Sequence, residues 1–119
     1  MFNVDGFTIT ISRGDTGAIK FTANTEYTFE SVDRALFSVK NAIGEVVKQS
    51  VFEIDENKSF TVPFFNSDTD SLAAGSYQWD VRYIIHPYYD SAGNIIDGDQ
   101  VITPRQPMTM QLLQVVGEV

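Results

Sequence analysis

From Ser76 to Ile85 the chain keeps a two-residue rhythm. Tyr77, Trp79, Val81, Tyr83 and Ile85 fall on one side of an extended backbone, and Ser76, Gln78, Asp80 and Arg82 fall on the other. An extended chain points successive side chains to opposite faces, whereas a helix would spread these same residues around its circumference. The stretch is therefore a strand with one buried face. It also holds the chain's single tryptophan, so Tyr77, Trp79, Val81 and Tyr83 are the expected structural core. Such a strand needs partner strands and a second apolar layer to cover it, and the rest of the chain has to supply them.

The flanking sequence supplies them in short pieces. Phe7, Ile9 and Ile11 alternate with polar residues and predict a strand from about Gly6 to Ser12, ended by the turn residues Arg13-Gly14-Asp15-Thr16-Gly17. Ile19, Phe21 and Ala23 form the inward face of a second strand, which either pairs with the first or lies on a facing sheet. Asn24 to Asp33 carries no clear pattern. Ala35, Phe37 and Val39 mark a third strand, joined through a turn at Lys40–Glu45 to Val46–Ile54, whose imperfect alternation predicts a bulge or an edge position. After the turn Asp55-Glu56-Asn57-Lys58 come Phe60, Val62 and Phe64, with Pro63 marking an edge.

One helical turn is expected at Asp68–Ala74, capped by Asp68 or Thr69 and stopped by a left-handed Gly75. His86-Pro87 then closes the central strand, because proline has no amide hydrogen. A long polar loop is expected from Pro87 to Asp99, with brief pairing at Ile95 and Ile96. A short strand at Gln100–Thr103, a break at Pro104–Pro107 and a final strand from Met108 to Val116, with Met110 and Leu112 on one face, complete the chain. Seven to eight short strands without an amphipathic helix predict an all-β fold, an antiparallel β-sandwich forming a single domain over residues 1–119. The chain has no cysteine, so packing and hydrogen bonds hold it without disulfides or thiolate metal ligands.

Charge narrows the partners. Eight Lys and Arg against sixteen Asp and Glu leave a formal charge of -8. Affinity for nucleic acid comes from basic patches that displace counterions, and anionic membranes select for the same patches, so neither is an expected partner. Met-Phe-Asn-Val-Asp-Gly lacks the basic start and apolar run of a signal peptide, and no stretch reaches membrane-spanning length. The expected site of synthesis is the cytoplasm, without membrane insertion.

No grouping of residues makes a catalytic, cofactor or metal site. His86 is the only histidine; at a strand end before proline it reads as a surface or loop-packing residue and not as a general base. Asp80 with Asp97 or Asp99 suggests a carboxylate pair, but an exposed Asp80 paired with Arg82 is the simpler expectation. Asn66, Asp68 and Asp70 open like a calcium loop, yet Ser71 replaces the required glycine and Tyr77 the bidentate glutamate, which leaves a helix cap. Arg13-Gly14-Asp15 could be an integrin-type tripeptide only on a protruding loop, and the same residues serve a turn. Tyr88 and Tyr89, at the start of the expected loop, are the candidate partner-contact residues if they do not fold back onto the rim, because exposed aromatics offer large rigid contact area.

Two motifs carry a resemblance: Arg13-Gly14-Asp15-Thr16 ahead of an alternating strand, and Asp68-Thr69 leading to Leu72, Gly75, Tyr77, Trp79, Asp80 and Val81. Together they resemble small immunoglobulin-like β-sandwich proteins and modules of phage and prophage tails and baseplates, including the N-terminal region of baseplate upper proteins. The Pro87–Asp99 stretch and the Pro104–Pro107 break depart from that pattern. The resemblance implies an immunoglobulin-like sandwich without enzymatic activity or cofactor. It further implies a structural or assembly protein that docks to other virion subunits in multiple copies or as a homo-oligomer, made in the bacterial cytoplasm and carried in the virion. The alternative is a glycan- or cell-surface-binding module that uses residues 87–99.

Overall fold

The computed structural model describes residues 1–103 and 107–114. Nine strands run through them: β1 Phe2–Asp5, β2 Thr8–Ser12, β3 Gly17–Thr22, β4 Arg34–Lys40, β5 Val46–Glu53, β6 Ser59–Phe64, β7 Gly75–Tyr89, β8 Ile95–Ile102 and β9 Met108–Leu113, with one short helix, α1 Asn66–Thr69, between β6 and β7. The larger sheet has the order β1-β2-β9-β7-β4-β5, and β8 also pairs with β7. The smaller sheet is the antiparallel pair β3-β6, which faces it. All sheet pairs are antiparallel except β2 with β9, which run parallel.

The strand around Trp79 is central. Gln78 and Trp79 pair with β4 on one edge and β9 on the other, while Tyr83 and Ile84 pair with β4 and β8. A strand has two edges, so β8 and β9 lie end to end on the same edge of β7. This arrangement, with two sheets, one parallel pair inside the larger of them and a helical turn before the central strand, is a β-sandwich-like all-β fold. Its second sheet is only two strands wide, and β1 folds back on β2 in the larger sheet.

The inward side chains interdigitate as the alternation requires. Tyr77, Trp79, Val81 and Tyr83 are all buried, with Ile9, Ile11, Phe37, Val39, Val62, Phe64, Met110 and Leu112 around them. In antibody domains a disulfide joins the two sheets at this level; here aromatic rings meet instead. Phe21 on β3 packs on Trp79, Phe37 and Phe60 at centroid distances of 5.4, 5.8 and 5.3 Å. Two residues before Trp79, the Tyr77 hydroxyl donates to the carbonyl of Ala73 at 2.6 Å, closing the corner through which the chain enters β7. Tyr77→Phe is expected to cost about 1 kcal/mol, the net value of one hydrogen bond, seen as a lower denaturation midpoint with an unchanged slope.

Three tight turns share one chemistry, two of them closing the β4–β5 and β7–β8 hairpins and the third carrying the chain from β5 across to β6 in the other sheet. The side chains of Asn41, Asp55 and Asp90 each accept the backbone N–H groups of the residues two and four positions on, at 2.9–3.2 Å. The residue three positions on, Gly44, Lys58 or Gly93, takes a positive φ that lets the next strand begin. At Asp90 these N–H donors, that of Asn94 foremost, hold the carboxyl below its usual range.

Several expectations change. The first strand begins at Thr8, not Gly6; Phe7 sits in the turn after the additional strand β1 and is half-exposed, because its carbonyl is turned to accept the Trp79 indole N–H at 3.1 Å. The first two expected strands lie on facing sheets, as β2 and β3. The helical turn starts at Asn66 and ends at Thr69, because the Asp68 carboxylate reaches back to the N–H of Phe65 at 2.7 Å and fixes the start there. Pro104–Gln106, within the expected break, and Val115–Val116, within the expected last strand, lie outside the described residues. The largest change is at His86-Pro87. The strand does not close there: β7 continues to Tyr89, and most of the expected polar loop is the hairpin of β7 with β8.

Candidate docking site: the β7–β8 arm

Past Ile84, β7 has left its β4 partner and is accompanied by β8 alone. Fifteen residues at about 3.3 Å each span on the order of 50 Å, comparable to the 47 Å long axis of the molecule. The far part of this strand, with β8 and the Asp90 turn, forms an arm. Tyr88 pairs with Asp97 and Tyr89 with Ile95 across a bulge. Tyr88 and Tyr89 are each about half exposed, at 50% and 49%, and Ile96 is exposed at 66%. From Tyr83 to Thr103 the charged or titratable groups other than tyrosine are His86, Asp90, Asp97 and Asp99, with no Lys or Arg. The arm is thus an acidic element with apolar and aromatic surface.

Its base is held by a histidine whose partners all come from elsewhere in the chain. His86 has φ +47°, a conformation that L side chains adopt only where their surroundings impose it. The imposing group is Asp33, which is buried. One of its oxygens accepts the backbone N–H of His86 at 2.9 Å, and the other accepts the N–H of Glu30 at 2.8 Å and the Tyr27 hydroxyl at 3.4 Å. The imidazole lies between two more carboxylates. Nδ1 is 2.9 Å from Asp99 on β8, and Nε2 bonds Glu30 in the 24–33 segment. These bonds raise the imidazole's pKa, the Glu30 bond most and the Asp99 bond next. The segment itself is pinned by Phe29, whose ring packs on Tyr83 at 5.2 Å.

Glu30, Asp33 and His86 bring three possible metal ligands within 4.8 Å of one another. Both oxygens of Asp33 already accept N–H groups and both ring nitrogens of His86 already face carboxylates. The group is a closed hydrogen-bonded set, and its chemistry is that of an ion-paired tie between β7, β8 and the 24–33 segment.

The other sequence candidates are placed as follows. Asp80 pairs with Arg82 at 3.9 Å, while Asp99 stands beside His86, six residues along β7, a separation on the order of 20 Å. That is well beyond the reach of a glycosidase carboxylate pair. Asp68 accepts Lys48 Nζ at 3.1 Å as well as its own helix cap, and Asn66 donates to the carbonyl of Gly14 at 2.9 Å, so this trio serves structure. The Arg13-Gly14-Asp15 turn is docked and not protruding. Gly14 N–H donates to Thr69 Oγ1 at 2.8 Å, Arg13 reaches the Leu72 carbonyl at 3.4 Å, and Asp15 pairs with the N-terminal amine. The two sequence motifs therefore meet in one corner: the first strand's turn rests on the helical turn that leads into β7.

A groove of about 410 Å³ opens beside β3, where the two-stranded sheet leaves the larger one uncovered, with Phe7, Phe21, Trp79, Tyr83, Lys20 and Asp80 among its walls. Its floor is the core itself. Among the described residues no helix is long and apolar enough to cross a membrane. The fold and the arm define this chain as an all-β sandwich-like protein with an extended hairpin on its central strand. Compared with protein families, curated proteins and solved structures, the chain matches none.

Sequence reasoning missed the role of His86 because Glu30, Asp33 and Asp99 lie 56, 53 and 13 residues away. The arm did leave a signal: Asp90-Ser91-Ala92-Gly93 repeats the spacing of Asn41-Ala42-Ile43-Gly44, the turn of an evident hairpin.

Proposed function

We propose that this protein is a non-enzymatic structural or assembly component of a phage or prophage tail or baseplate, and that it docks to other virion subunits through the β7–β8 arm. The observation that carries this reading is the arm: a long hairpin with half-exposed Tyr88 and Tyr89 projecting beyond the sheet contacts that β7 needs. Aromatic side chains on a rigid strand are efficient contact anchors, because little conformational entropy is lost when they are covered. The acids around them call for a partner surface with a basic rim. The resemblance of the two motifs to phage tail modules supplies the setting, and multiple copies would add weak contacts by avidity.

The test is to induce prophages in the source bacterium, purify the particles and quantify this chain by mass spectrometry. Stoichiometric recovery supports the reading, and its absence from particles containing other tail proteins counts against it. Tyr88→Ala with Tyr89→Ala should leave the melting temperature nearly unchanged and reduce incorporation by roughly tenfold or more, the scale of anchor residues. A second reading, glycan or cell-surface binding, draws on Tyr88 standing opposite Asp97, since an aromatic face beside a carboxylate suits a sugar. Glycan binding that is lost in the same double variant, with no incorporation into particles, would favour it.

A further inference from the structure

We propose that His86 is a protonation-dependent clasp that sets how firmly the β7–β8 arm is held to the sandwich. The ring sits at the point where β7 passes its last β4 partner, Ile84, and the arm begins. It bridges two pieces that have no other shared strand: Glu30, in the segment before β4, and Asp99, on β8. An imidazolium carries two N–H donors and satisfies both carboxylates. A neutral imidazole carries one, so deprotonation must leave one carboxylate without its donor.

The surrounding charges sharpen the effect. The groups facing the ring are Glu30 and Asp33 with Tyr27 from the 24–33 segment, and Asp99 from β8. The nearby cation, Arg34 at the start of β4, is turned to the carbonyls of Ser31 and Asp33 and towards Glu53. Loss of the ring's proton therefore leaves three carboxylates facing one another with no cation among the described residues between Glu30 and Asp99. Asp33 holds the His86 amide in either state, so the kink stays as a pivot while the β8 side comes loose.

The sign follows from linkage. The folded histidine titrates above its unfolded value. The clasp is fully closed below about pH 6.5, and its contribution is lost as pH rises through the folded pKa. As a means of regulating docking, this rests on the arm being the docking element; as a property of the fold it does not.

The experiment uses the free full-length chain. Amide hydrogen exchange is measured from about pH 5.5 to 9, corrected for the intrinsic rate, at Tyr88, Tyr89, Ile95 and Asp97, with Phe37 and Val39 as core references. The His86 ring resonances are followed in the same samples. The expected result is a fall in arm protection that tracks the ring's titration, by about tenfold for each unit by which the folded pKa exceeds the unfolded one. His86→Asn tolerates the positive φ and carries no charge, so its arm should show the low protection at every pH, without a step. Glu30→Gln and Asp99→Asn, which leave the backbone untouched, should each shrink the step. Arm protection that stays constant through the wild-type ring's titration would overturn the clasp. Failure of docking would instead appear as unchanged incorporation of the Tyr88 and Tyr89 variant, with the step in exchange intact.

Discussion

Replacing Trp79 by alanine is expected to lower the unfolding free energy by about 3–5 kcal/mol and the melting temperature by more than about 10 °C. The indole is buried where the two sheets meet, against Phe21 at 5.4 Å and Phe37 at 6.0 Å, with its N–H bonded to the Phe7 carbonyl. Alanine removes the ring contacts from both sheets and the donor from the β1–β2 turn. It also extends the 410 Å³ groove into the core, where the two-stranded sheet has no further strand with which to close the gap. Thermal and denaturant unfolding measure the effect. Trp79→Phe keeps an aromatic contact with Phe21 and should recover a large part of the loss. An unchanged melting temperature in the alanine variant would show that β7 does not present this face to the core.

A loss of similar size, from a different cause, is expected for Asp33→Ala. The carboxylate is 1% exposed and holds the backbone N–H groups of Glu30 and His86 together with the Tyr27 hydroxyl. Without it, two backbone donors lose their acceptor, at about 1–3 kcal/mol each, so the total is about 2–6 kcal/mol. The damage should also be local. Exchange at the His86 amide and along the 24–33 segment should rise by more than the global loss of stability explains, because the positive φ at His86 has lost the group that imposes it. Asp33→Asn keeps one oxygen and should fall between wild type and alanine. A change within about 0.5 kcal/mol in the alanine variant, the size of an ordinary surface substitution, would show that the carboxylate does not hold the base of the arm.

These two residues differ in how they could be read from the sequence. Trp79 belongs to a period of two that is visible within ten residues, and its burial follows from that period once the stretch is extended. Asp33 lies in a segment with no periodicity, and its three donors come from Tyr27, Glu30 and His86, the last of them 53 residues on. The His86-Pro87 pair shows why a local rule failed. Proline ends a strand that has neighbours on both edges, but β7 has only β8 beside it at that point, so a missing amide hydrogen is tolerated there. Tyr88 and Tyr89 stand out in the sequence by their chemistry, while their support, a paired strand and not a loop, depends on a turn at Asp90 that has the residue spacing of the turn at Asn41.

The sequence by itself determined the all-β class, the inward faces of the central strands and the chemistry of the tight turns. Side-chain alternation and side-chain-to-backbone turns are short-range properties, set by residues within a few positions of one another. Only the tertiary structure decided that β2 and β3 lie on opposite sheets, that β8 and β9 share one edge of β7, and that the Arg13-Gly14-Asp15 turn rests on α1. It alone brought Glu30, Asp33 and Asp99 to His86, because which distant carboxylates surround a side chain is fixed by how the strands pair and not by any pattern along them.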